Sequence, residues 1–148
     1  MILLVVFNLS EGQAAPQMEL DTPSVALQGK LEMEIAQLSS EDAALFMEEY
    51  GIKELSLSRM INLSYDLLQV QSFFTVGEDE VRAWETKRGA TAQESAGEIH
   101  TDLMRGFVRA EVVAYDDLIS LGSMNEAKAK GKFRLEGKEY LVKDGDIV

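Results

Sequence analysis

The chain of 148 residues contains no cysteine and a single histidine. Without cysteine it can form neither a disulfide framework nor a thiolate metal site, and a reducing cytosol is the expected compartment. One histidine, His100, cannot supply a histidine-based metal site, and we find no Ser-His-Asp triad around it. Because His100 falls near the end of a predicted helix, we predict a structural role for it.

Basic residues are scarce, since 14 lysines and arginines stand against 26 aspartates and glutamates, for a net charge of −12. This balance argues against a surface that binds polyanions throughout, and we predict no recognition of DNA sequence. Residues 1–66 hold 3 basic and 11 acidic groups, whereas residues 67–148 hold 11 and 15. Any contact with nucleic acid is therefore expected to be local and to lie in the second half.

Long apolar runs and a phosphate-binding loop are also missing. The opening apolar run, residues 2–7, is too short to span a membrane and lacks the features of a signal peptide, so we predict a soluble, cytoplasmic protein without membrane contact. The pattern Gly-x-x-x-x-Gly-Lys-Ser/Thr occurs nowhere. Because phosphoryl transfer of the P-loop type needs that backbone cradle and lysine, this chain alone should not hydrolyse ATP.

Residues 73–106 show the pattern of a hairpin followed by a helix. Two β-rich runs, 73–76 and 81–87, flank the turn 77–80 and predict antiparallel strands. Thr91 and Glu94 have the spacing of a capping box, which predicts that a helix begins there. Gly106 is expected to end this helix in a left-handed conformation.

From residue 107 the apolar pattern changes to a period of two, which predicts a third strand. A second hairpin is predicted for residues 132–135 and 138–143, followed by a turn at 144–146 into a last short strand. The order of elements predicts an α+β fold of the β-grasp, ubiquitin-like kind.

The first part of the chain reads differently. The apolar run 2–7 predicts a strand covered on both faces, as in a parallel α/β sheet. No partner strand is evident in the sequence, because residues 12–24 read as a loop, so we expect the chain to be the C-terminal part of a longer protein. Three helices should follow, with Ser40 as the N-cap of the second and Gly51 as its end. The third is predicted for residues 56–68, with Leu57, Ile61 and Leu68 facing inward.

Three segments carry a resemblance to a known family: FFTVGEDEVRAW, GATAQESAGEIHTDLMRGFVRAE and RLEGKEYLVKDGDIV. They resemble the C-terminal TGS domain of the YchF-type, Obg-like ATPases, and the resemblance runs from about residue 64 to residue 148. It implies a ribosome-associated protein that binds ATP, with GTP as the alternative nucleotide, and Mg²⁺ through an N-terminal P-loop domain that is missing here. The implied domains are a remnant of the nucleotide-binding domain (1–30), a helical connector (31–66) and a TGS β-grasp domain (67–148).

The resemblance also implies residues that read the nucleotide base. In this family an Asn-x-x-Glu segment, here Asn8-Leu9-Ser10-Glu11, stands where GTPases read guanine with an aspartate. The implied base contacts are Asn8, Leu9 and Glu11, with adenine preferred because the short carboxylate that pairs with guanine is absent. The segment 29–32 matches the next loop on the nucleotide side, although Gln28 replaces the usual small residue and the chain is shorter before it.

The basic residues of the second half suggest a contact surface for the ribosome or RNA. We predict a stripe on the open face of the sheet, with Phe107 as a stacking platform, formed by Lys87, Arg88, Arg105, Arg109, Lys132 and Arg134. The alternative is that these groups pair with Glu85, Glu98, Glu111 and Glu136 on a solvated surface. A second functional class therefore stays open, a free-standing ubiquitin-like module that binds proteins and no nucleotide.

Overall fold

A computed structural model describes residues 3–10, 12–17, 21–77 and 79–148, and the chain divides into two compact units. Unit 1 extends to Leu68, and unit 2 begins at Gln69. None of the helices within the described ranges has the length and apolar character needed to cross a membrane.

Unit 1 begins with two parallel strands, β1 (Val5–Asn8) and β2 (Ser24–Leu27). The expectation that the first strand has no partner was wrong, because Val5 pairs with Ser24 and Asn8 with Leu27. Strand β1 is also exposed along one side instead of covered on both faces. The sequence of β2 is only four residues long, which is too short to show a strand period beside the polar loop before it.

Three helices complete unit 1: α1 (Gly29–Ile35), α2 (Ser40–Glu49) and α3 (Ser56–Leu68). The N-cap of α2 is Ser39 and not Ser40, because the Ser39 hydroxyl accepts a hydrogen bond from the Asp42 N–H at 3.2 Å. Gly51 has a φ of +67° just after α2, as expected of a helix stop.

Helix α3 has the predicted bounds but not the predicted burial. Leu57, Ile61 and Leu68 are exposed, with Leu57 60% accessible. The helix is held instead at its first residue, since the Ser56 N–H and hydroxyl both donate to the Glu32 carboxylate, at 2.7 and 2.6 Å. The apolar stripe in the sequence of α3 thus predicted the helix correctly, but the other described elements of unit 1 do not cover these side chains.

Unit 2 contains a mixed five-stranded sheet. Its first two strands, β3 (Val70–Val76) and β4 (Val81–Lys87), pair antiparallel from Val70–Lys87 to Val76–Val81, which confirms the predicted hairpin. The other strands are β5 (Ala110–Ala114), β6 (Arg134–Glu136) and β7 (Asp146–Ile147). The order across the sheet is β4-β3-β7-β5-β6, so β4 and β6 form its two edges.

The capping box is present, but the helix that it starts is shorter than predicted. Helix α4 (Ala92–Ile99) ends where His100 takes an extended conformation, and α5 (Thr101–Gly106) begins after it. The His100 Nδ1 accepts a hydrogen bond from the Asp102 N–H at 3.1 Å and so caps α5, which confirms a structural role. Gly106 is the last residue of α5 and is not left-handed, because the chain leaves through an extended Phe107.

The predicted second hairpin does not form. Strand β6 pairs antiparallel with β5, while β7 lies between β3, to which it is parallel, and β5, to which it is antiparallel. Residues 138–143 contribute only a bridge between Leu141 and Thr91. Before β6 the chain forms two short helices, α6 (Tyr115–Leu121) and α7 (Met124–Ala129).

Successive residues of the central strands face two different apolar clusters. Phe73 packs with Ala92 and Val142, under α4, whereas its neighbour Phe74 packs against the cluster of Val113, Ala127 and Ile147. Because adjacent strand residues point to opposite faces, α4 and the α6–α7 pair cover opposite sides of the sheet. Helices α6 and α7 therefore cover part of the second face, which we expected to be open, while residues such as Glu85 on β4 and Leu135 on β6 stay exposed.

Removal of the capping hydroxyl should weaken unit 2. The Thr91 hydroxyl accepts from the Glu94 N–H at 3.2 Å, and the Glu94 carboxylate accepts from the Thr91 N–H at 2.8 Å. We expect Thr91→Ala to lower the free energy of unfolding by about 1 kcal/mol, while Thr91→Ser, which keeps the hydroxyl, changes it little. Denaturant unfolding of both variants measures this, and equal losses would show that the cap contributes nothing.

Candidate functional site

Unit 1 has a cavity of about 420 Å³ at the carboxyl ends of its two parallel strands. Asn8, the last residue of β1, forms one side together with Leu9 and Ser10, which follow it. Residues that follow β2 form the other side: Gln28, Lys30, Leu31 and Glu34. In open parallel sheets the carboxyl ends of the strands are the usual place for ligands. We call this space the Asn8 cavity.

A hydrogen bond joins the two sides of the Asn8 cavity. The Asn8 Oδ1 accepts from the backbone N–H of Gly29 at 3.2 Å. A Cβ atom on residue 29 would lie 3.0 Å from the Asn8 Oδ1 and 3.2 Å from the Leu27 Cδ1, so the close approach favours glycine. The carboxamide of Asn8 is therefore held by one end, and its NH₂ group is left to donate elsewhere.

The structure brings together most of the residues that the sequence connects with a nucleotide base. Asn8 and Leu9 line the cavity opposite Lys30 and Leu31, while Glu11 lies outside the described residues. Glu32 serves another purpose, because its carboxylate holds Ser56. Three further residues line the site without having been predicted to do so: Ser10, Gln28 and Glu34. Gln28 lies in the same cavity as Asn8 because it follows β2, the strand that the sequence analysis did not recognise and that pairs with β1.

The six predicted basic residues of unit 2 do not form one stripe. Lys87 ends β4 at one edge of the sheet, whereas Arg134 starts β6 at the other edge, with three strands between them. Lys132 forms an ion pair with Asp117 at 2.9 Å. The two sheet edges therefore carry separate groups of cations, and both cations near β6 are paired. Among the described residues, these two cations use only Glu136 of the partners that the alternative named, and it is Arg134 that pairs with it.

Arg134 belongs to a buried polar network. Its guanidinium lies 3.3 Å from the Asp146 carboxylate, which is only 2% exposed, and 3.8 Å from Glu136. The Tyr140 hydroxyl also donates to Asp146, at 2.8 Å. Burial and this hydrogen bond raise the pKa of Tyr140, so the phenol stays protonated at neutral pH. These contacts give Arg134 a structural role that needs no ligand.

The remaining four cations lie around α4 and α5. Lys87 and Arg88 line a cavity of about 480 Å³, which we call the β4–α5 cavity, together with Thr101 and Met104 of α5. Arg109 lines a second cavity, of about 380 Å³, on the other side of α5 beside Leu103. Arg105 lies on α5 itself, and its side chain is 78% exposed.

These four cations differ in their partners. Arg105 is 4.0 Å from Asp102, and the Arg88 Nε donates to the Val70 carbonyl. Within the part of the chain that the structure describes, Lys87 and Arg109 form no ion pair. Phe107 is half-buried against the cluster around Phe73, so it is not the open stacking platform that we expected.

The Asn8 cavity offers groups suited to the base of a nucleotide, namely carboxamides and leucine side chains. A carboxamide can both donate to and accept from a base edge. Over the described ranges, no three acidic or histidine side chains come together as a metal site. The cavity therefore combines two carboxamides and two leucine side chains with one cation, Lys30, and one carboxylate, Glu34.

Known structures and proteins share this architecture. The structure of the Schizosaccharomyces pombe YchF GTPase aligns with a TM-score of 0.73 and 32% identity, over 86% of this chain and 33% of that one. The ribosome-binding ATPase YchF of Bacillus subtilis is 55% identical over 80% of this chain. The protein of the same name from Escherichia coli O157:H7 is 47% identical over 80% of it.

A family model, YchF-GTPase_C, described as a protein of unknown function (DUF933), matches residues 70–148, which is more than half of the chain. The chain therefore belongs to the YchF-GTPase_C family, and the resemblance seen in its sequence is confirmed. The mixed arrangement of helices and sheet also agrees with the YchF structure. The chain spans about a third of the length of the curated relatives that it matches, 32% in both cases.

The contact between Asn8 and Gly29 predicts coupled mutations. Asn8→Ala should cost about 1 kcal/mol of stability by leaving the Gly29 N–H without its partner. Gly29→Ala should also destabilise, because the new methyl group meets Asn8, even though alanine is favoured over glycine in helices by roughly 0.5–1 kcal/mol. In the double variant that clash is gone, so the two losses should not add. Additive losses in denaturant unfolding would contradict the contact.

Proposed function

We propose that this chain is the C-terminal part of a ribosome-associated, YchF-type nucleotide-binding ATPase. In this proposal unit 1 supplies one edge of the base site, and unit 2 is a TGS module of the β-grasp kind that docks on the ribosome. The observation that carries it is the hydrogen bond from Gly29 to Asn8, because it joins the two segments expected on the nucleotide side into one cavity.

The base site would act by hydrogen bonding and exclusion. Asn8, held through its oxygen, keeps donors for an acceptor on the base, while Leu9 and Leu31 provide apolar contact. The base would be adenine, since a guanine-pairing aspartate does not follow Asn8 in the sequence. Phosphate binding, Mg²⁺ and hydrolysis would come from a P-loop domain beyond these residues, because the chain contains no P-loop sequence.

Unit 2 supports the β-grasp assignment by its order of elements. A β3–β4 hairpin is followed by α4, which packs on the sheet, and the later strands add beside β3. The proposed division into residues 1–30, 31–66 and 67–148 gives this module the whole sheet. Helices α1 to α3 would then connect it to the nucleotide-binding domain.

Contact with ribosomal RNA would use the cations around α5. Lys87, Arg88, Arg105 and Arg109 surround this helix, and two of the four have no ion pair in the described ranges. Phosphate contacts by such groups give binding that depends on salt and tolerates sequence. Lys132 and Arg134 contribute little to this surface, because their charges are engaged with Asp117 and Asp146.

A second candidate is an interaction module that binds protein. Helix α2 has no buried residue, and Leu45 on it is 65% exposed beside several acidic groups. Such a surface would suit contact with another protein or domain without RNA. If replacement of the cations around α5 leaves ribosome binding unchanged, this candidate is favoured.

The proposed base site predicts that nucleotides bind weakly and that their phosphate groups add little to the affinity. Because this chain holds no phosphate-binding residues of the P-loop type, ATP and adenosine should bind with similar dissociation constants of about 1 mM or weaker. Asn8→Ala should abolish the shifts of cavity residues seen by NMR during both titrations, whereas Ser40→Ala, outside the cavity, should not. Micromolar binding of ATP, or shifts far from the cavity, would contradict the proposed arrangement.

The docking surface predicts a charge-dependent interaction with ribosomes. Arg105→Glu with Arg109→Glu should weaken binding, so that the chain is released at lower salt than wild type, because the lost phosphate contacts no longer release counterions. Each lost contact should also reduce the slope of log K against log salt by about 0.9 unit on duplex segments. Co-sedimentation over a salt series measures this. Lys128→Glu with Lys130→Glu makes the same change of charge at α7, on the opposite side of the sheet from α4, and should bind like wild type. If the proposal is wrong, every folded variant should bind like wild type.

A further inference from the structure

The β4–α5 cavity lies between a sharp turn of the backbone and two helices. Gly89, with a φ of +79°, turns the backbone sharply after β4, so that Arg88 to Ala90 form one wall. Helices α4 and α5 form the other wall. Its volume of about 480 Å³ falls in the range of ligand pockets, roughly 300–1,000 Å³.

One side of the cavity is an apolar surface. Gly97 of α4 lies against Met104 of α5, where an added Cβ would be 3.0 Å from the Met104 Sδ. The absence of a side chain at Gly97 therefore lets the thioether pack onto α4 and line the cavity. A thioether next to an open space is a favourable contact for an aromatic ring.

Polar groups at the cavity divide into used and available ones. The Glu94 carboxylate is used, because the backbone N–H and hydroxyl of Thr91 donate to it and lower its pKa. The charge of Lys87 also contributes to lowering the pKa of Glu94, but in the part of the chain that the structure describes Lys87, Glu98 and Thr101 form no side-chain hydrogen bond or ion pair. The cavity thus presents a cation, an apolar surface, a hydroxyl and an acceptor carboxylate.

We propose that the β4–α5 cavity binds one unstacked nucleotide of single-stranded RNA, an inference that rests on the RNA docking proposed above. Lys87 contacts the phosphate, the base lies on Met104, and Glu98 accepts a hydrogen bond from an exocyclic amine of the base. Single-stranded RNA is the class that exposes bases in this way, since the bases of a duplex are stacked and paired.

The carboxylate makes the site selective. Cytosine, adenine and guanine each carry an exocyclic amine, and a glutamate accepts well from the cytosine amine in particular. Uracil presents a carbonyl oxygen at the same position, which the Glu98 carboxylate would repel. The cavity should therefore discriminate against uridine, whereas a contact made only by surface cations would not.

The test measures the affinity of fluorescent RNA hexamers of cytidine and of uridine for the whole chain, by anisotropy over a salt series. We expect wild type to bind the cytidine hexamer about tenfold more tightly. Glu98→Gln should bring the ratio close to one, because an amide can both donate and accept. Glu139→Gln is the matched control and should keep the preference.

Lys87→Ala should weaken both hexamers and reduce the slope of log K against log salt by about 0.7 unit, the value for one phosphate on a single strand. Lys130→Ala, at the end of α7 on the opposite side of the sheet, should leave the slope unchanged. A base preference that Glu98→Gln does not alter would overturn the assignment of the cavity. If reversal of Arg105 and Arg109 still releases ribosomes in that case, the RNA docking stands without it; if wild type binds neither hexamers nor ribosomes, both proposals are wrong.

Discussion

The sheet of unit 2 depends on one buried carboxylate. Asp146 accepts hydrogen bonds from the Tyr140 hydroxyl, the Lys143 N–H and the Arg134 guanidinium. Next to it, Ile147 pairs with Phe74 on one side and with Val113 on the other. The anchored Asp146 therefore holds a two-residue strand between the β3–β4 hairpin and the β5–β6 pair, which do not pair with each other directly.

This arrangement explains why basic residues that look alike in the sequence differ in role. Replacement of Arg134 would take a cation from the buried Asp146 carboxylate, so this partner of Asp146 is constrained by stability. Arg105, whose side chain is largely exposed, has only a weak ion pair and carries no such constraint. A cation whose acidic partner is buried is held by the structure, whereas a cation whose acidic partner is exposed can contact a ligand.

Local signals in the sequence predicted local structure well. The Thr91–Glu94 spacing marked the start of α4, and the turn after Val76 marked the β3–β4 hairpin, because both depend on neighbouring residues. Pairing between distant residues was not predictable in this way. Strand β2, the insertion of β7 and the position of Gln28 in the Asn8 cavity all depend on tertiary contacts, and His100 interrupts a helix by a side-chain cap that no apolar period shows.

The central position of β7 also bears on the order in which unit 2 is built. Gly145 donates to the Ser72 carbonyl and Val148 to the Phe74 carbonyl, across more than 70 residues of chain. Contacts of such sequence separation form late and slow the folding of a domain. During synthesis, the hairpin can form as soon as it emerges, but its inner edge at β3 stays unpaired until residues 144–148 arrive. The sheet of unit 2 is thus completed only once nearly every residue of the unit has left the ribosome that makes it.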